Sequence, residues 1–346
     1  LALQGDNGDN VITGGAEDNF LRGFGGNDTL NGGDGTDVAV YAGVSTDYAI
    51  AVTTDATGWA TGFTSVTDTN PGDGDDGADT LSSVESVIFA DGAVDLSRAV
   101  QVFDASNNLV GTFDTIQAGV DAAADGFTVI VDDGTYNENV VISDSITLRS
   151  RNGRGTTTIV GDNAGAQLGA IEIDPNTDNV TLGGLGQGFT IEGINGNGAI
   201  EKAAVYIQGS NDGITIQDNE LVANGDSGLI SEFAAAVTNA LIDNNTFSGQ
   251  TFTGANPDGV GFSTQFNVGN NVPRQLVVMG NGGSGPYSSN NITFSNNEVT
   301  GTAGGISTDD GVSEQGNNLV TIDADTVTFE NNTFNGFTNQ FATALR

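Results

Sequence analysis

Four consecutive nine-residue units near the start of the chain constrain its fold more than any other feature. They run from Gly5 to Val40 and read GDNGDNVIT, GGAEDNFLR, GFGGNDTLN and GGDGTDVAV. Each unit begins with Gly, has Asp or Asn at its sixth place, and has an aliphatic residue two places later. Glycines permit tight turns, and a very short strand can point its aliphatic side chain inward. The strict period therefore predicts short strands separated by tight turns.

These units resemble the RTX nonapeptide repeat, whose pattern is G-G-x-G-x-D-x-U-x. The resemblance implies a parallel β-roll with two units per turn, so that residues 18 apart stack and Asn10 lies over Asp28, and Asn19 over Asp37. It also implies calcium sites built from these side chains and from glycine carbonyls, with Gly14, Gly23, Gly25 and Gly32 as the candidates. Such a roll usually serves folding and secretion. The alternative is a glycine-rich loop without metal.

Two departures from the repeat pattern affect the expected calcium affinity. The first two units have Asn at the sixth place, and Glu17 replaces the Gly at the fourth place of the second unit. Since calcium affinity depends on the charge and number of its oxygen ligands, fewer carboxylates are expected to weaken binding.

The charge composition narrows the function classes. The chain of 346 residues has 45 Asp and Glu against 8 Lys and Arg, a formal charge of −37, and neither His nor Cys. Histidine catalysis and histidine or thiolate metal sites are therefore excluded, and nucleic-acid binding is not expected without a cationic surface. Carboxylate, amide and carbonyl oxygens remain as ligands, and they suit calcium. An acidic chain that depends on calcium is expected outside the cell or on its surface.

The ends and the hydropathy of the chain add two expectations. We find no apolar run of about 18 residues, so no transmembrane span is predicted. The chain starts at Leu1 without a Met or a signal-like segment, which favours a processed or excised piece of a longer polypeptide.

Four domains are predicted from the pattern. Residues 1–40 form the roll, and residues 41–99 resemble the strand-rich segment that follows RTX repeats. Residues 100–126 form a linker and a helix with Ile116, Val120 and Ala123 on one side, ending at Gly126. Residues 127–346 form the fourth domain, whose pattern is described next. Within residues 41–99, an acidic loop contains Asp73, Asp75, Asp76 and Asp79. These acids either share a second calcium ion or are solvated.

A recurring phrase sets the architecture of the last segment: ITIQDNEL, ALIDNNTF, ITFSNNEV and VTFENNTF. The sixth residue of the phrase is always Asn: Asn219, Asn245, Asn297 and Asn332. Their spacings are 26, 52 and 35, where 52 counts as two rungs of 26. At about 24 residues per rung, roughly nine rungs are expected, with these asparagines in a ladder. The helix and the strands after it resemble a right-handed parallel β-helix of the pectate-lyase-like kind. The predicted fold is all-β, with the helix covering the open end of the coil.

The candidate catalytic residues come from a column spaced by 26 and from short motifs. Tyr206, Glu232, Asp258, Ser284 and Asp310 form that column. Asp258 and Asp310, two rungs apart, would lie about 10 Å from each other, which is near the separation used in inverting glycoside hydrolysis. NPDGV and STDDG, the latter with Asp309, are also similar to polygalacturonase motifs, although the His of that family is missing. A lyase would instead need a cation, for which Lys202 near Tyr206, or Arg274, is available.

Three functions are compatible with these features. The first is a calcium-stabilised extracellular component, such as an adhesin, surface-layer or filament subunit, that self-associates. The second is a polysaccharide lyase or glycoside hydrolase with a groove on the β-helix, although solvated turn acids explain the acidic motifs better. The third is a glycan-binding module that stacks sugars on exposed aromatics, for which the candidates are Trp59, Phe252 and Tyr287, although such aromatics more often belong to the core or to a loop.

Overall fold

The protein divides into two compact units in a computed structural model. The first unit comprises Leu1–Ala123 and Phe127–Ile130, and the second comprises Ala124–Gly126 and Val131–Arg346. The structure describes residues 1–72, 74–162, 167–194, 203–224, 227–231, 236–250, 277–280, 289–300, 305–307, 318–324 and 326–335. Within these ranges, no helix has the length and apolar character needed to cross a membrane.

The first unit consists of short strands, one turn of 3-10 helix at Ser45–Asp47 and one α-helix, α1 (Ile116–Asp121). Its strands are β1 (Ala2–Gln4), β2 (Val11–Thr13), β3 (Phe20–Arg22), β4 (Thr29–Asn31), β5 (Val38–Val40), β6 (Tyr48–Thr54), β7 (Ala60–Asp68), β8 (Ala78–Ser82), β9 (Ser86–Phe89), β10 (Gly92–Asp95), β11 (Val100–Phe103), β12 (Leu109–Phe113) and β13 (Thr128–Val131), the last of which begins in this unit.

The nine-residue units form a parallel β-roll. Strands β1, β3 and β5 pair in parallel on one side, and β2 and β4 pair on the other. Leu3 is paired with Leu21, and Ile12 with Leu30, each 18 residues further along the chain. The aliphatic residues at the eighth place point inward, since Leu21 and Leu30 are buried. The predicted stacking of two units per turn is therefore confirmed.

The parallel pairing continues beyond the nine-residue units. Strand β8 pairs in parallel with β4, and β9 pairs in parallel with β5. Between them, β6 and β7 form an antiparallel hairpin, and β7 also pairs with β8. The continuation has a sequence basis, because GNDTLN at residues 26–31 returns as GADTLS at residues 77–82. The roll thus takes further strands from chain that lies after the hairpin.

Aromatic side chains fill the core between the roll and the hairpin. Tyr41, Tyr48 and Phe89 pack together with ring centroids 4.9 to 5.7 Å apart. Trp59 is also part of this core, with only 4% of its surface exposed. It is therefore not available as the glycan-stacking platform that the sequence offered, because the hairpin folds its ring inward. Phe252 and Tyr287 lie outside the described residues.

Helix α1 begins with a side-chain cap and packs within the first unit. Thr115 accepts a hydrogen bond on its Oγ1 from the N–H of Ala118, as an N-cap does. The helix ends at Asp121, five residues before the predicted end at Gly126. The reason is local: Ala123 donates its N–H to the carbonyl only three residues back, at Val120, which closes the last turn.

The second unit is built from short strands throughout its described residues. They are β14 (Gly134–Asn137), β15 (Val140–Ile142), β16 (Thr147–Ser150), β17 (Thr157–Val160), β18 (Gly169–Ile173), β19 (Thr181–Gly183), β20 (Thr190–Glu192), β21 (Ala203–Ile207), β22 (Asn211–Asp212), β23 (Thr215–Gln217), β24 (Glu220–Asn224), β25 (Ser227–Ser231), β26 (Val237–Thr238), β27 (Leu241–Asp243), β28 (Thr246–Gln250), β29 (Val277–Gly280), β30 (Ile292–Ser295), β31 (Glu298–Thr300), β32 (Gly305–Ser307), β33 (Asn318–Asp323), β34 (Val327–Glu330) and β35 (Thr333–Asn335).

These strands form three parallel sheets and a short fourth pair. Sheet I has the order β14-β17-β20-β24-β28-β31-β35, sheet II has β15-β18-β21-β25-β29-β33-β32, and sheet III has β16-β19-β23-β27-β30-β34. Strands β22 and β26 form the pair. Apart from β22, β26 and β32, successive strands belong to sheets I, II and III in turn, and each pairs in parallel with the equivalent strand of the rung before, so the unit is a parallel β-helix.

In the described residues, the rungs are fewer and less regular than the sequence predicted. Within the described residues, a sheet of this unit has at most seven strands, against roughly nine expected rungs. Thr246 of β28 pairs directly with Glu298 of β31, so the spacing of 52 is one rung with an insertion and not two rungs. Loops of unequal length separate the strands, and chain spacing therefore does not count rungs.

The asparagine ladder is confirmed and explains the regular corner between sheets III and I. Each Asn donates its backbone N–H to Oδ1 of the Asn in the next rung, at 2.8 to 2.9 Å, in the order Asn219, Asn245, Asn297 and Asn332. The residue before each of them has a left-handed backbone, with φ between 54° and 60°, and these are Asp218, Asn244, Asn296 and Asn331. Asn and Asp tolerate this conformation better than other non-glycine residues.

Candidate calcium-binding site

The sixth-place residues of the roll form two columns that are linked by hydrogen bonds. In the first column, the backbone N–H of Asn10 donates to Oδ1 of Asp28 at 2.7 Å, and the N–H of Asp28 donates to Oδ1 of Asp79 at 2.9 Å. In the second column, the N–H of Asn19 donates to Oδ1 of Asp37, and the N–H of Asp37 donates to Oε2 of Glu85, both at 2.7 Å. The predicted stacking of Asn10 on Asp28 and of Asn19 on Asp37 is present.

Each carboxylate in the middle of a column keeps one oxygen without a partner. Oδ2 of Asp28 and Oδ2 of Asp37 are buried and accept no hydrogen bond. The two residues are 2% and 0% exposed. Burial raises the pKa of Asp28, and the charges of Asp9 and Asp6 act in the same direction against the hydrogen bond from Asn10. A buried carboxylate oxygen without a donor is costly, and a bound cation would remove that cost.

Glycine at the first place of each unit opens an oxygen-lined space beside these carboxylates. A Cβ at Gly23 would lie 1.8 Å from Oδ2 of Asp28, and a Cβ at Gly32 would lie 2.5 Å from Oδ2 of Asp37. A Cβ at Gly14 would lie 1.9 Å from the carbonyl oxygen of Gly32. Carboxylate and carbonyl oxygens are the ligands that calcium prefers. The donor set therefore fits calcium, which would be held by Asp28, Asp37 and neighbouring carbonyls.

The first two units place amide side chains in the same positions. Oδ1 of Asn10 accepts the N–H of Asp6 at 2.7 Å, and Oδ1 of Asn19 accepts the N–H of Gly15 at 2.8 Å. Both asparagine oxygens thus have a donor from their own turn, in contrast to Oδ2 of Asp28 and Asp37.

Two carboxylates of the acidic loop accept hydrogen bonds from tyrosine hydroxyls. Asp76 accepts on Oδ2 from the Tyr48 hydroxyl at 2.5 Å, and Asp79 accepts on Oδ2 from the Tyr41 hydroxyl at 2.9 Å. Burial raises the pKa of Asp79 to about 6. Asp75 is exposed, accepts the N–H of Gly77, and has its carbonyl near Gly25. Asp73 lies outside the described residues. Among the residues that the structure describes, no group of three or more carboxylates is arranged for a metal.

Only one of the candidate catalytic residues can be placed. Asp258, Asp309, Asp310 and Lys202 lie outside the described residues. Tyr206, on β21 of sheet II, is buried in a small cluster with Ala203, Ile230 and Leu168. Its partner on the next strand is Ile230, whereas the column spaced by 26 predicted Glu232. Glu232 and Ser284 of that column lie outside the described residues.

The neighbour of Tyr206 on the preceding strand is an acid that the sequence analysis did not select. Glu172 pairs with Tyr206, is buried, and accepts the N–H of Leu168 at 3.2 Å. Burial raises the pKa of Glu172, and the charge of Asp174 adds to this effect. The signal in the sequence was a single Glu inside the apolar run GAIEI.

Glu85, which ends the second column, was also missed, and so was Ser83, whose carbonyl lies beside Gly32. They follow the GADTLS segment that repeats GNDTLN, and an alignment of these two strings would have extended the repeat past residue 40. The hairpin hides this extension, because it separates the two strings by more than one period.

The chain is similar to known proteins in two ways: weakly in structure, and locally in sequence over the nine-residue units. No curated protein matches the chain. A candidate glycosyl hydrolase from Parabacteroides merdae has a similar structure at a TM-score of 0.40 and 12% identity, covering 64% of this chain and 87% of that one. A pectin methylesterase from Erwinia chrysanthemi has a TM-score of 0.29 and 13% identity, covering 65% and 86%. A pectin methylesterase in complex with a hexasaccharide has a TM-score of 0.27 and 12% identity, covering 54% and 77%. Residues 4–39 match the RTX calcium-binding nonapeptide repeat family in four copies.

Proposed function

We propose that this is a secreted β-helix protein that calcium stabilises and that acts as an extracellular structural component, of the surface-layer, filament or adhesin kind. One observation carries the calcium part: the buried Oδ2 atoms of Asp28 and Asp37 have no hydrogen-bond partner beside oxygen-lined glycine turns. Folding buries these oxygens at a cost that a bound calcium ion offsets.

The structural role is supported by how the β-helix is held together. The buried asparagines donate backbone N–H groups from rung to rung, and Phe247, Phe294 and Phe329 stack with ring centroids 5.5 to 5.7 Å apart. A formal charge of −37 makes separate molecules repel each other unless cations lie between them. Self-association of this chain is therefore expected to require a divalent cation.

The test is electron microscopy and light scattering of the purified chain in millimolar calcium and after chelation. Ordered filaments or lattices that dissolve on chelation support the proposal. A monodisperse monomer at high concentration in calcium contradicts the structural role. A double variant, Asp28→Asn with Asp37→Asn, is expected to lose the calcium response, whereas Asp34→Asn, which removes an exposed carboxylate of the same roll, is expected to keep it.

The second candidate function is a carbohydrate-active enzyme, a polysaccharide lyase or a glycoside hydrolase. It is supported by Glu172 beside Tyr206 on sheet II, because a carboxyl group with a raised pKa next to a phenol is suited to proton transfer. A screen with neutral and uronic polysaccharides tests it. Product that is lost in Glu172→Gln but kept in Glu330→Gln, an exposed acid of sheet III, favours this function. The acids Asp258 and Asp310 are tested in the same screen as Ala variants.

A further inference from the structure

We propose that two copies of this chain associate through the outer edge of β6 (Tyr48–Thr54), which pairs antiparallel with β6 of the second copy. The inference rests on the proposed function, since it names the contact behind the expected self-association. Strand β6 ends the sheet of order β2-β4-β8-β7-β6. It pairs with β7 on one side, and among the described residues no strand pairs with its other side.

Strand β6 is the longest edge strand of the first unit. It has seven residues, against three in β1 and in β2, four in β10 and five in β12, which are the other edge strands of the unit's described sheets. Natural proteins keep edge strands short, or place Lys, Pro or other charged residues in them, because a long neutral edge pairs with other chains. The sequence of β6, YAIAVTT, has no charged residue and no Pro. This edge therefore lacks these protections against a second strand.

The backbone of β6 has a regular row of groups that point away from β7. Thr69 donates its N–H to the carbonyl of Asp47 at 2.7 Å, and Asp55 donates its N–H to the carbonyl of Trp59 at 2.9 Å. Asp47 and Asp55 thus face β7, and since the direction alternates along a strand, every second residue between them faces outward. The bulges of this pair lie in β7, so the alternation in β6 is unbroken. The outward N–H and carbonyl groups belong to Tyr48, Ile50, Val52 and Thr54.

A two-fold axis at Ala51 gives each of these outward groups a partner. Two antiparallel copies of β6 then pair Tyr48 with Thr54, and Ile50 with Val52, while Ala51 lies opposite itself. Residues that lie opposite each other in a sheet are on the same face. Ile50 is buried and Val52 is half-buried on the core side, whereas Ala51 is exposed on the other side. The pairing therefore joins apolar side to apolar side, and only small side chains meet on the exposed face.

The charge distribution favours a second copy as the partner. Chains of formal charge −37 repel each other, so a contact between copies is least costly where neither carries an acid. Residues 48–67 of the hairpin include one charged residue, Asp55, which accepts the N–H groups of Thr57 and Trp59 in its own turn. In the two-fold pairing, Asp47 of each copy lies opposite Asp55 of the other, at the ends of β6. Because opposed like charges weaken a strand pair, dissolved cations are expected to strengthen this contact.

The first experiment is sedimentation of the full chain in millimolar calcium, with two variants that make the same charge change. Ala51→Glu puts two carboxylates face to face at the two-fold axis and is expected to raise the dissociation constant of the dimer about tenfold or more. Ser65→Glu is the matched control, because Ser65 pairs with Ala51 from β7 and thus lies one strand further from the second copy. It is expected to dimerise as the natural chain does.

The second experiment tests the register by disulfide cross-linking, which is unambiguous because the chain has no Cys. Ala51→Cys places two thiols opposite each other at a non-hydrogen-bonded pair, where the side chains of antiparallel strands lie closest, and oxidation is expected to join them. Ser65→Cys and Thr53→Cys are expected not to cross-link, since neither residue meets its own counterpart. A mixture of Ala49→Cys with Thr53→Cys is expected to cross-link, because these positions lie opposite each other.

The outcomes separate this inference from the function on which it rests. If the natural chain stays monomeric at high concentration in calcium, both the inference and the structural role are overturned. If it self-associates, but Ala51→Glu associates as tightly as Ser65→Glu and Ala51→Cys does not cross-link, only the β6 contact is overturned. Equal cross-linking of Ala51→Cys and Ser65→Cys also contradicts the two-fold pairing. Should Ala51→Glu fail to fold, the cross-linking alone decides, because its replacements are small and lie at exposed or half-exposed positions.

Discussion

Asn245 donates its backbone N–H to Oδ1 of Asn297 at 2.8 Å, although 52 residues separate them in the chain. The contact is the same as that between Asn219 and Asn245, which are 26 residues apart. The corner of the β-helix is therefore defined by its own turn chemistry, a left-handed residue followed by a buried Asn, and an insertion elsewhere in the rung does not disturb it.

The first prediction concerns the middle of this ladder. Asn245→Ala removes the acceptor of the Asn219 N–H and the donor to the carbonyl of Ile216, and both groups are buried. Each unsatisfied buried group costs about 1–3 kcal/mol, so we expect about 3 kcal/mol of lost stability. Urea unfolding measures the loss. Ser248→Ala, three residues further along at a partly exposed site, is expected to change stability by less than about 0.5 kcal/mol, and equal effects of the two variants would contradict the prediction.

Much of this fold was accessible from the sequence, because its repeats are local. The period of nine fixed the stacking of Leu3 on Leu21, and the NN phrase fixed the asparagine ladder. In both cases the residue that makes the contact also makes the turn, so a short string of residues carries the whole signal. All-β architecture with parallel strands followed directly.

The remainder depended on contacts that chain spacing does not encode. The rung count and the column of Tyr206 relied on equal loop lengths, but Tyr206 is paired with a residue 24 positions away and Thr246 with one 52 positions away. The contact between Asp37 and Glu85 depends on the hairpin, which separates Glu85 from the repeats in the chain. The sequence left open whether Trp59 is an exposed stacking platform or a core residue, and tertiary packing places it in the core.

The second prediction compares two adjacent glycines of the roll. Gly14→Ala places a Cβ 1.9 Å from the carbonyl oxygen of Gly32 and 2.3 Å from Oδ1 of Asn19, so the turn must open. A Cβ at Gly15 meets nothing within 4 Å. We expect Gly14→Ala to cost about 3 kcal/mol and to lower the melting temperature in calcium, whereas Gly15→Ala stays near the natural value. Equal melting temperatures for the two variants would show that the roll tolerates a wider turn.

The third prediction is a pH dependence that originates at Glu172. Burial raises the pKa of this carboxyl, so the folded β-helix favours its neutral form. The associated stability is fully present below the ordinary pKa of 4.5 and is lost as the pH rises through the raised value. We expect Glu172→Gln to stabilise the protein at pH 8 and to have little effect at pH 4.

The matched control for this charge removal is Glu330→Gln, which also replaces one acid of the β-helix but at an exposed position. Urea midpoints at the two pH values measure the difference. A gain from Glu172→Gln that is the same at pH 4 and pH 8, or equal to that of Glu330→Gln, would assign the effect to net charge and not to burial.

The fourth prediction concerns calcium removal and the two units. Because the buried oxygens without partners at Asp28 and Asp37 lie in the roll, chelation is expected to destabilise β4, β5, β8 and β9. At calcium concentrations one hundred times the dissociation constant, each site contributes about 2.7 kcal/mol that chelation removes. Hydrogen exchange with mass spectrometry should show faster exchange in these strands on chelation, with β18, β21 and β25 of the β-helix unchanged. Equal acceleration in both sets of strands would mean that calcium acts on the whole chain and not on the roll.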